Sequence, residues 1–256
     1  MYTRFKDSLI TPSLIVKYLK DKTSVIISYF LILVIIITLP IVIYEVSYTG
    51  LSSSQINKLT NEFTNNISGP YEIIDNKLEI DPVYYDLVKY LELDYYTIGI
   101  INTPSGFMDY YFRVVFTENG VNYSSLVGNT NKTYSFNELG LNNFDFNNYS
   151  NANIERFVKG LNIVIKDNQA QYKMMMVLGS FIANGFELLI LALIIALFNR
   201  HIMPYKLKFK LSIYAISIYT VLSFFGVIFN LNILNFVGII MASIYLRKAT
   251  QKIMVL

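Results

Sequence analysis

Glu187 is the residue with the most chemistry to offer in this sequence, because it is a carboxyl group inside the otherwise apolar run 174–198. An ionised carboxylate at that depth of a bilayer costs several kcal/mol, so it invites a proton- or ion-linked role or a contact with a partner membrane protein. A protonated Glu187, hydrogen-bonded in a helix seam, is the structural alternative. Ser180, Asn184 and Glu187 fall at i, i+4 and i+7 and so share one helical face. Ser217, Thr220 and Ser223 form a second polar stripe, with Gly226 beyond it, and Asn235, Gly238 and Ala242 a third of small residues. Small residues let helices approach closely and polar groups bond across, so the three stripes are expected to meet in one bundle seam.

Other chemistries find little support. With no cysteine there can be no disulfide, thiolate zinc site, iron–sulfur cluster or cysteine nucleophile. The single histidine, His201, excludes an HExxH or multi-histidine metal site, and beside Arg200 it reads as an interfacial residue rather than a ligand. No glycine-rich phosphate loop or Ser/His/Asp set is present. The acids Glu72, Asp75, Glu79, Asp81, Asp86, Glu92 and Asp94 are scattered and read as a solvated face, without the pattern of a calcium loop. The expectation is a non-enzymatic protein with no catalytic residue, cofactor or metal.

These groups must be positioned by membrane helices. The 256 residues are 54% hydrophobic and 15% charged with a mean hydropathy of +0.42, whereas soluble domains carry about 25% charged residues. Residues 24–44 hold no charge and are long enough to cross about 30 Å of hydrocarbon, with Pro40 near the far end. Further spans read at 174–198, 211–229 and 231–246, the last one short enough to need snorkelling flanks or a thinned bilayer. Segments 1–23, 199–210 and 247–256 contain 12 Lys and Arg against two acids, while 45–173 contains nine bases and 15 acids. Positive residues stay inside, so both termini, the basic loop 199–210 and the tail 247–256 are expected in the cytoplasm, and 45–173 outside. The first span lacks the short apolar region and small-residue cleavage site of a signal peptide and reads as an anchor. Before it, Thr11-Pro12 opens a helix with Leu14, Ile15, Tyr18 and Leu19 on one face and Ser13, Lys17, Lys20 and Asp21 on the other. That segment either lies in the headgroup layer or packs on the bundle. Because the positive charge serves topology, nucleic-acid binding is not expected.

The 45–173 insertion is long enough for an α+β domain. Residues 52–65 read as a polar helical stalk, and 71–80 as a hairpin about Asp75-Asn76. Asp81-Pro82 with Val83, Leu87 and Leu91 suggests a helix, and 95–102 a buried strand stopped by Thr103-Pro104-Ser105-Gly106. Asn119-Gly120 signals a hairpin between 112–117 and 121–126. Ser135 and Glu138 have capping-box spacing before a brief helix. Residues 142–153 read as an exposed Asn-rich loop, and Phe157, Leu161, Val164 and Ile165 mark an amphipathic helix running towards the second span.

The runs FKDSLITPSLIVKYL, GPYEIIDNKLEI, YYTIGIINTPSGF and RVVFTENGV, ahead of a three-span carboxyl-terminal block, resemble a family of multi-pass membrane proteins of unknown function. That family comes from low-GC Gram-positive bacteria and is often labelled maltodextrin utilization protein, and its membrane block looks like the Yip-type domain. The excess of Lys over Arg, 16 to 5, fits an AT-rich genome. The resemblance implies association with sugar uptake and transfers no catalytic residue. Two functions compete. One is an extracytoplasmic sensing, binding or accessory component that takes a small-molecule or sugar ligand and docks a membrane partner or itself. The other is a transport component with Glu187 as coupling carboxylate. Four spans without an inverted repeat are few for a carrier.

Overall fold

The computed structural model describes residues 1–80, 89–100, 112–126 and 129–252. The chain divides into a helical unit, Met1–Val46 with Met176–Leu256, and an inserted unit, Ser47–Met175. Seven α-helices are described: α1 (Tyr2–Ile10), α2 (Thr23–Ser47), α3 (Ser53–Glu62), α4 (Asn151–Phe198), α5 (Tyr205–Ala215), α6 (Ser217–Ile228) and α7 (Ile233–Gln251), with a 3₁₀ helix at Pro12–Lys20. α4 is continuous, contributing to the inserted unit up to Met175 and to the helical unit beyond it.

Among the described residues four helical stretches are long and apolar enough to cross a membrane: Thr23–Ser47, α4, Tyr205–Ile228 and Ile233–Gln251. Their surfaces explain the solvent they need. On α4, Met174, Leu178, Ile182, Phe186, Ile190, Ile194 and Phe198 recur every fourth residue and are all exposed. On α2, Ile27, Leu31, Ile35, Leu39 and Ile43 do the same. A stripe of that size would be a costly patch in water and is at ease against lipid chains. The opposite faces supply Ile26, Tyr29, Leu33 and Ile37, which pack with Leu188, Ala192, Tyr214 and Leu246. The third stretch starts earlier than the charge pattern suggests. Tyr205–Lys210, expected as part of a loop, is already helical, and the helix is interrupted only at Ile216.

The amino-terminal segment packs on the bundle. Ile15 is fully buried, Tyr18 and Leu19 are partly so, and the 3₁₀ helix rests on α5 and α7. Pro12 takes the first helical position as expected, but Thr11 makes no side-chain cap bond. Asp21, placed on the polar outer face by periodicity, is instead turned inwards, as described below.

Among the described residues the inserted unit has two sheets. β1 (Tyr71–Ile74) and β2 (Lys77–Ile80) form the expected hairpin, with Asp75 and Asn76 both at positive φ as a tight turn of that hand demands. β8 (Phe144–Asp145) adds antiparallel to β1. The larger sheet runs in the order β3 (Lys89–Leu93), β4 (Tyr96–Ile100), β5 (Phe112–Thr117), β6 (Gly120–Ser125), β7 (Thr130–Tyr134), with β4 and β5 parallel and the rest antiparallel. β4 is buried at every position, Thr97 included. Gly120 is not a turn residue but the first of β6. Its φ is +155°, and a Cβ there would lie 2.4 Å from the Tyr134 carbonyl oxygen, so only glycine fits.

Four local expectations are corrected by the core. Residues 52–65 are no stalk: Ser52 and Gln55 form a capping box, and Leu59, Phe63 and Ile67 are fully buried. Leu91 lies in β3 rather than a helix; the rest of that suggested helix (Asp81-Pro82, Val83, Leu87) and the 103–106 stop lie outside the described residues. Ser135 and Glu138 make the reciprocal bonds of a capping box, but one turn follows and Gly140 closes it at φ +68°. The 142–153 segment is not simply exposed, because Phe144 and Phe146 are fully buried. They pack, mostly edge to face, about Phe63, Phe116 and Phe157, the last supplied by α4, where Ile154, Phe157, Val158, Leu161, Val164 and Ile165 fall on one face.

Candidate functional site

Several polar groups of the membrane-capable helices find partners, though not all in one seam, while among the described residues Ser223 Oγ and Asn235 Oδ1 are buried without one. Tyr219 on α6 is 3% exposed and donates its hydroxyl to Glu187 Oε1 on α4. Tyr219 is held there by a close helix approach: a Cβ built on Gly238 of α7 would lie 3.1 Å from Tyr219 Cα. α6 and α7 approach at Gly238 against Tyr219 and at Gly226 against Asn235, and the residue reaching Glu187 is Tyr219, which no stripe contained. Asn184 turns to α2, donating to Thr38 Oγ1 at 3.1 Å, and Thr38 donates to the Val34 carbonyl. Ser217 gives its proton to the Tyr214 carbonyl, 2.8 Å, so Tyr29 of α2 donates to Ser217 Oγ at 2.6 Å. Thr220 is fully buried and donates to Ile216 O at 3.2 Å. Ser180 is half-buried one turn before Asn184. Asn235 lies against Gly226, its Oδ1 enclosed and without a hydrogen-bond partner among the described residues. These bonds satisfy side chains that would otherwise face hydrocarbon, and they tie α2 to α4 and α6.

A second polar cluster fastens the amino terminus. Arg4 donates to Asp21 through Nε at 2.7 Å and Nη2 at 2.9 Å, and the Tyr214 hydroxyl reaches the same carboxylate at 2.6 Å. Lys210 donates to the Asp21 carbonyl at 3.2 Å. The Arg4 hydrogen bonds hold the Asp21 carboxyl below the usual carboxylate range. Arg4 also lies over the Tyr18 ring, 5.2 Å from its centroid, and Tyr18 donates to Asp7 at 2.6 Å. Burial, followed by that Asp7 bond, pushes the Tyr18 hydroxyl up to about 12. Periodicity could find the basic face here, but not a contact spanning residues 4, 21 and 214.

In the inserted unit, Lys58 and Glu62 of α3, with Asn65 and Asn66 of the π-helical turn Phe63–Ile67 that follows it, face Tyr90 and Glu92 of β3 across a polar cleft of about 470 Å³. Tyr90 is 49% exposed, and Asn66 donates to Glu62 at 3.0 Å. A tyrosine ring with carboxylates and amides around it can stack on an apolar sugar face and bond to hydroxyls. No motif in the sequence marks this cleft, because its two sides are separated by two strands. Of the scattered acids, Glu72 stands in register with Glu79 on one side and Asp145 on the other, all exposed. Among the described residues no group of His, Cys, Asp or Glu is arranged to hold a metal. Elsewhere Asp167 accepts Lys132 at 2.8 Å and Tyr134 at 2.5 Å, and these bonds hold its carboxyl below the usual range.

Residues 2–250 match the model of a family described as protein of unknown function, DUF1189, and the chain belongs to that family. No curated protein and no solved structure matches it significantly.

Proposed function

We propose that this chain is a non-enzymatic, multi-pass protein of the cell membrane that binds or senses a small polar ligand outside and docks a membrane partner, or a second copy of itself, through its helices. The positive-inside pattern supports a topology with both termini cytoplasmic and residues 45–173 extracytoplasmic. The observation that carries the ligand part is the cleft of Lys58, Glu62, Asn65, Asn66, Tyr90 and Glu92, whose aromatic face and mixed polar rim suit a polyhydroxyl compound. The resemblance to proteins labelled for maltodextrin utilization in low-GC Gram-positive bacteria, with a Yip-type membrane block, supports a sugar and an accessory role beside an uptake system. The exposed aliphatic stripes on α2 and α4 leave surface for a partner helix within the bilayer.

The test is thermal unfolding of the full chain in detergent with millimolar maltodextrin. A ligand at ten times its Kd stabilises by about 1.4 kcal/mol, a readable upward shift. Tyr90→Ala should unfold as wild type does without sugar and lose the shift. An absent shift in the wild type would refute a maltodextrin ligand.

A further inference from the structure

A pocket of about 540 Å³ lies where α4 ends and the last turns of α7 pass it. Arg200 and His201 line one side, Arg247 and Thr250 the other, and Phe198 and Ile244 form an apolar edge. Two features point to its occupant. Arg200 and Arg247 are exposed and have no acidic partner among the described residues, while the acids of the amino-terminal segment are committed elsewhere, Asp21 to Arg4 and Asp7 to Tyr18. Phe198 is 77% exposed and Ile244 41%, and both continue the apolar surface of their helices.

Two guanidiniums are a donor set for a phosphate, which each can bind through paired parallel bonds. The adjoining apolar edge is of no use to inorganic phosphate, but it would line an acyl chain hanging from the same group. We infer that this pocket binds the phosphate headgroup of an anionic glycerophospholipid, with Arg200 and Arg247 on the phosphate and Phe198 and Ile244 along the chain. Under the topology proposed above it lies in the inner leaflet, where such lipids concentrate.

The experiment is native mass spectrometry of the detergent-solubilised full chain, titrated with phosphatidylglycerol, with phosphatidylcholine or with inorganic phosphate. One phosphatidylglycerol per chain should bind at least tenfold more tightly than phosphatidylcholine, and millimolar inorganic phosphate should not displace it. Arg200→Gln with Arg247→Gln should weaken phosphatidylglycerol at least tenfold. Lys248→Gln, which removes an exposed cation outside the pocket, should change it less than twofold. Equal binding of the two lipids, an unaffected double variant, or an equal loss in Lys248→Gln would overturn the site. Displacement by inorganic phosphate would overturn the lipid assignment. Arg200→Lys with Arg247→Lys keeps both charges, and should bind between wild type and the double Gln variant if the paired guanidinium geometry matters. Binding in detergent has no sidedness, so these outcomes are independent of the topology, which a single introduced cysteine in this cysteine-free chain would report separately.

Discussion

Asp21→Asn should release the amino-terminal segment from the helical bundle. The carboxylate receives two guanidinium bonds from Arg4, at 2.7 and 2.9 Å, and a hydroxyl from Tyr214 at 2.6 Å. The side chains of the pair are 27% and 13% exposed, between the surface and the interior. Exposed pairs contribute about 0.2–1 kcal/mol, and breaking a buried one costs about 3–5 kcal/mol. An intermediate loss of about 2 kcal/mol is expected, because asparagine still accepts one of the three bonds. Limited trypsin digestion reads this directly, since Lys17 and Lys20 are exposed on the 3₁₀ helix and are cleaved only when it opens. If opening is in rapid equilibrium, about 2 kcal/mol corresponds to a roughly 30-fold faster cut. The pH dependence has a fixed sign. The Arg4 bonds depress the Asp21 carboxyl, so the clamp is complete above the ordinary aspartate value of about 3.9 and is lost as pH falls through its lower folded value. Asp21→Asn should remove that acid-side loss. Cleavage within twofold of wild type at neutral pH, or no recovery in Arg4→Asp with Asp21→Arg, would refute the clamp.

Two further outcomes test the packing that carries the sites. Phe157→Ala deletes a fully buried ring whose centroid lies 5.0 Å from that of Phe63 and 5.6 Å from that of Phe116, and should cost about 3–5 kcal/mol, measured as lost hydrogen-exchange protection in β5 and β6. Gly238→Ala places a methyl 2.9 Å from Tyr219 Cδ2 and should destabilise by about 1–3 kcal/mol in thermal unfolding, with larger losses for Gly238→Leu. An unchanged midpoint in either Gly238 variant would mean that α6 and α7 do not approach as described.

Much of the element plan was legible along the chain. Asp75-Asn76 marks a hairpin because both residues tolerate the positive φ its turn requires, and that hairpin is present. Phe157, Leu161, Val164 and Ile165 are helical in spacing and buried in fact. Signals failed where a local pattern competed with a distant core. The Asn-rich 142–153 segment reads as solvent-exposed by composition, yet Phe144 and Phe146 are drawn into the aromatic cluster, and Asn153 spans the loop by donating to Asp145 O at 2.8 Å and Asn148 O at 2.9 Å. Glu187 could be singled out from its cost in hydrocarbon, whereas its partner Tyr219 could not, because a tyrosine in an apolar helix gives no cue to the direction of its hydroxyl.

The sequence by itself determined which stretches are apolar enough to cross a membrane, where the basic segments fall, and which short turns join neighbouring strands. Those properties depend on composition and on spacings of a few residues, so adjacent side chains suffice to specify them. Only the tertiary structure decided that Asn184 turns to Thr38 of α2, that Arg4 closes on Asp21 and Tyr214, and that Tyr90 faces Asn65 and Asn66 across a cleft. Each of these joins residues from different elements. Which donor meets which acceptor is set by how helices and strands pack, and that packing minimises unsatisfied polar groups over a whole unit rather than along any one segment.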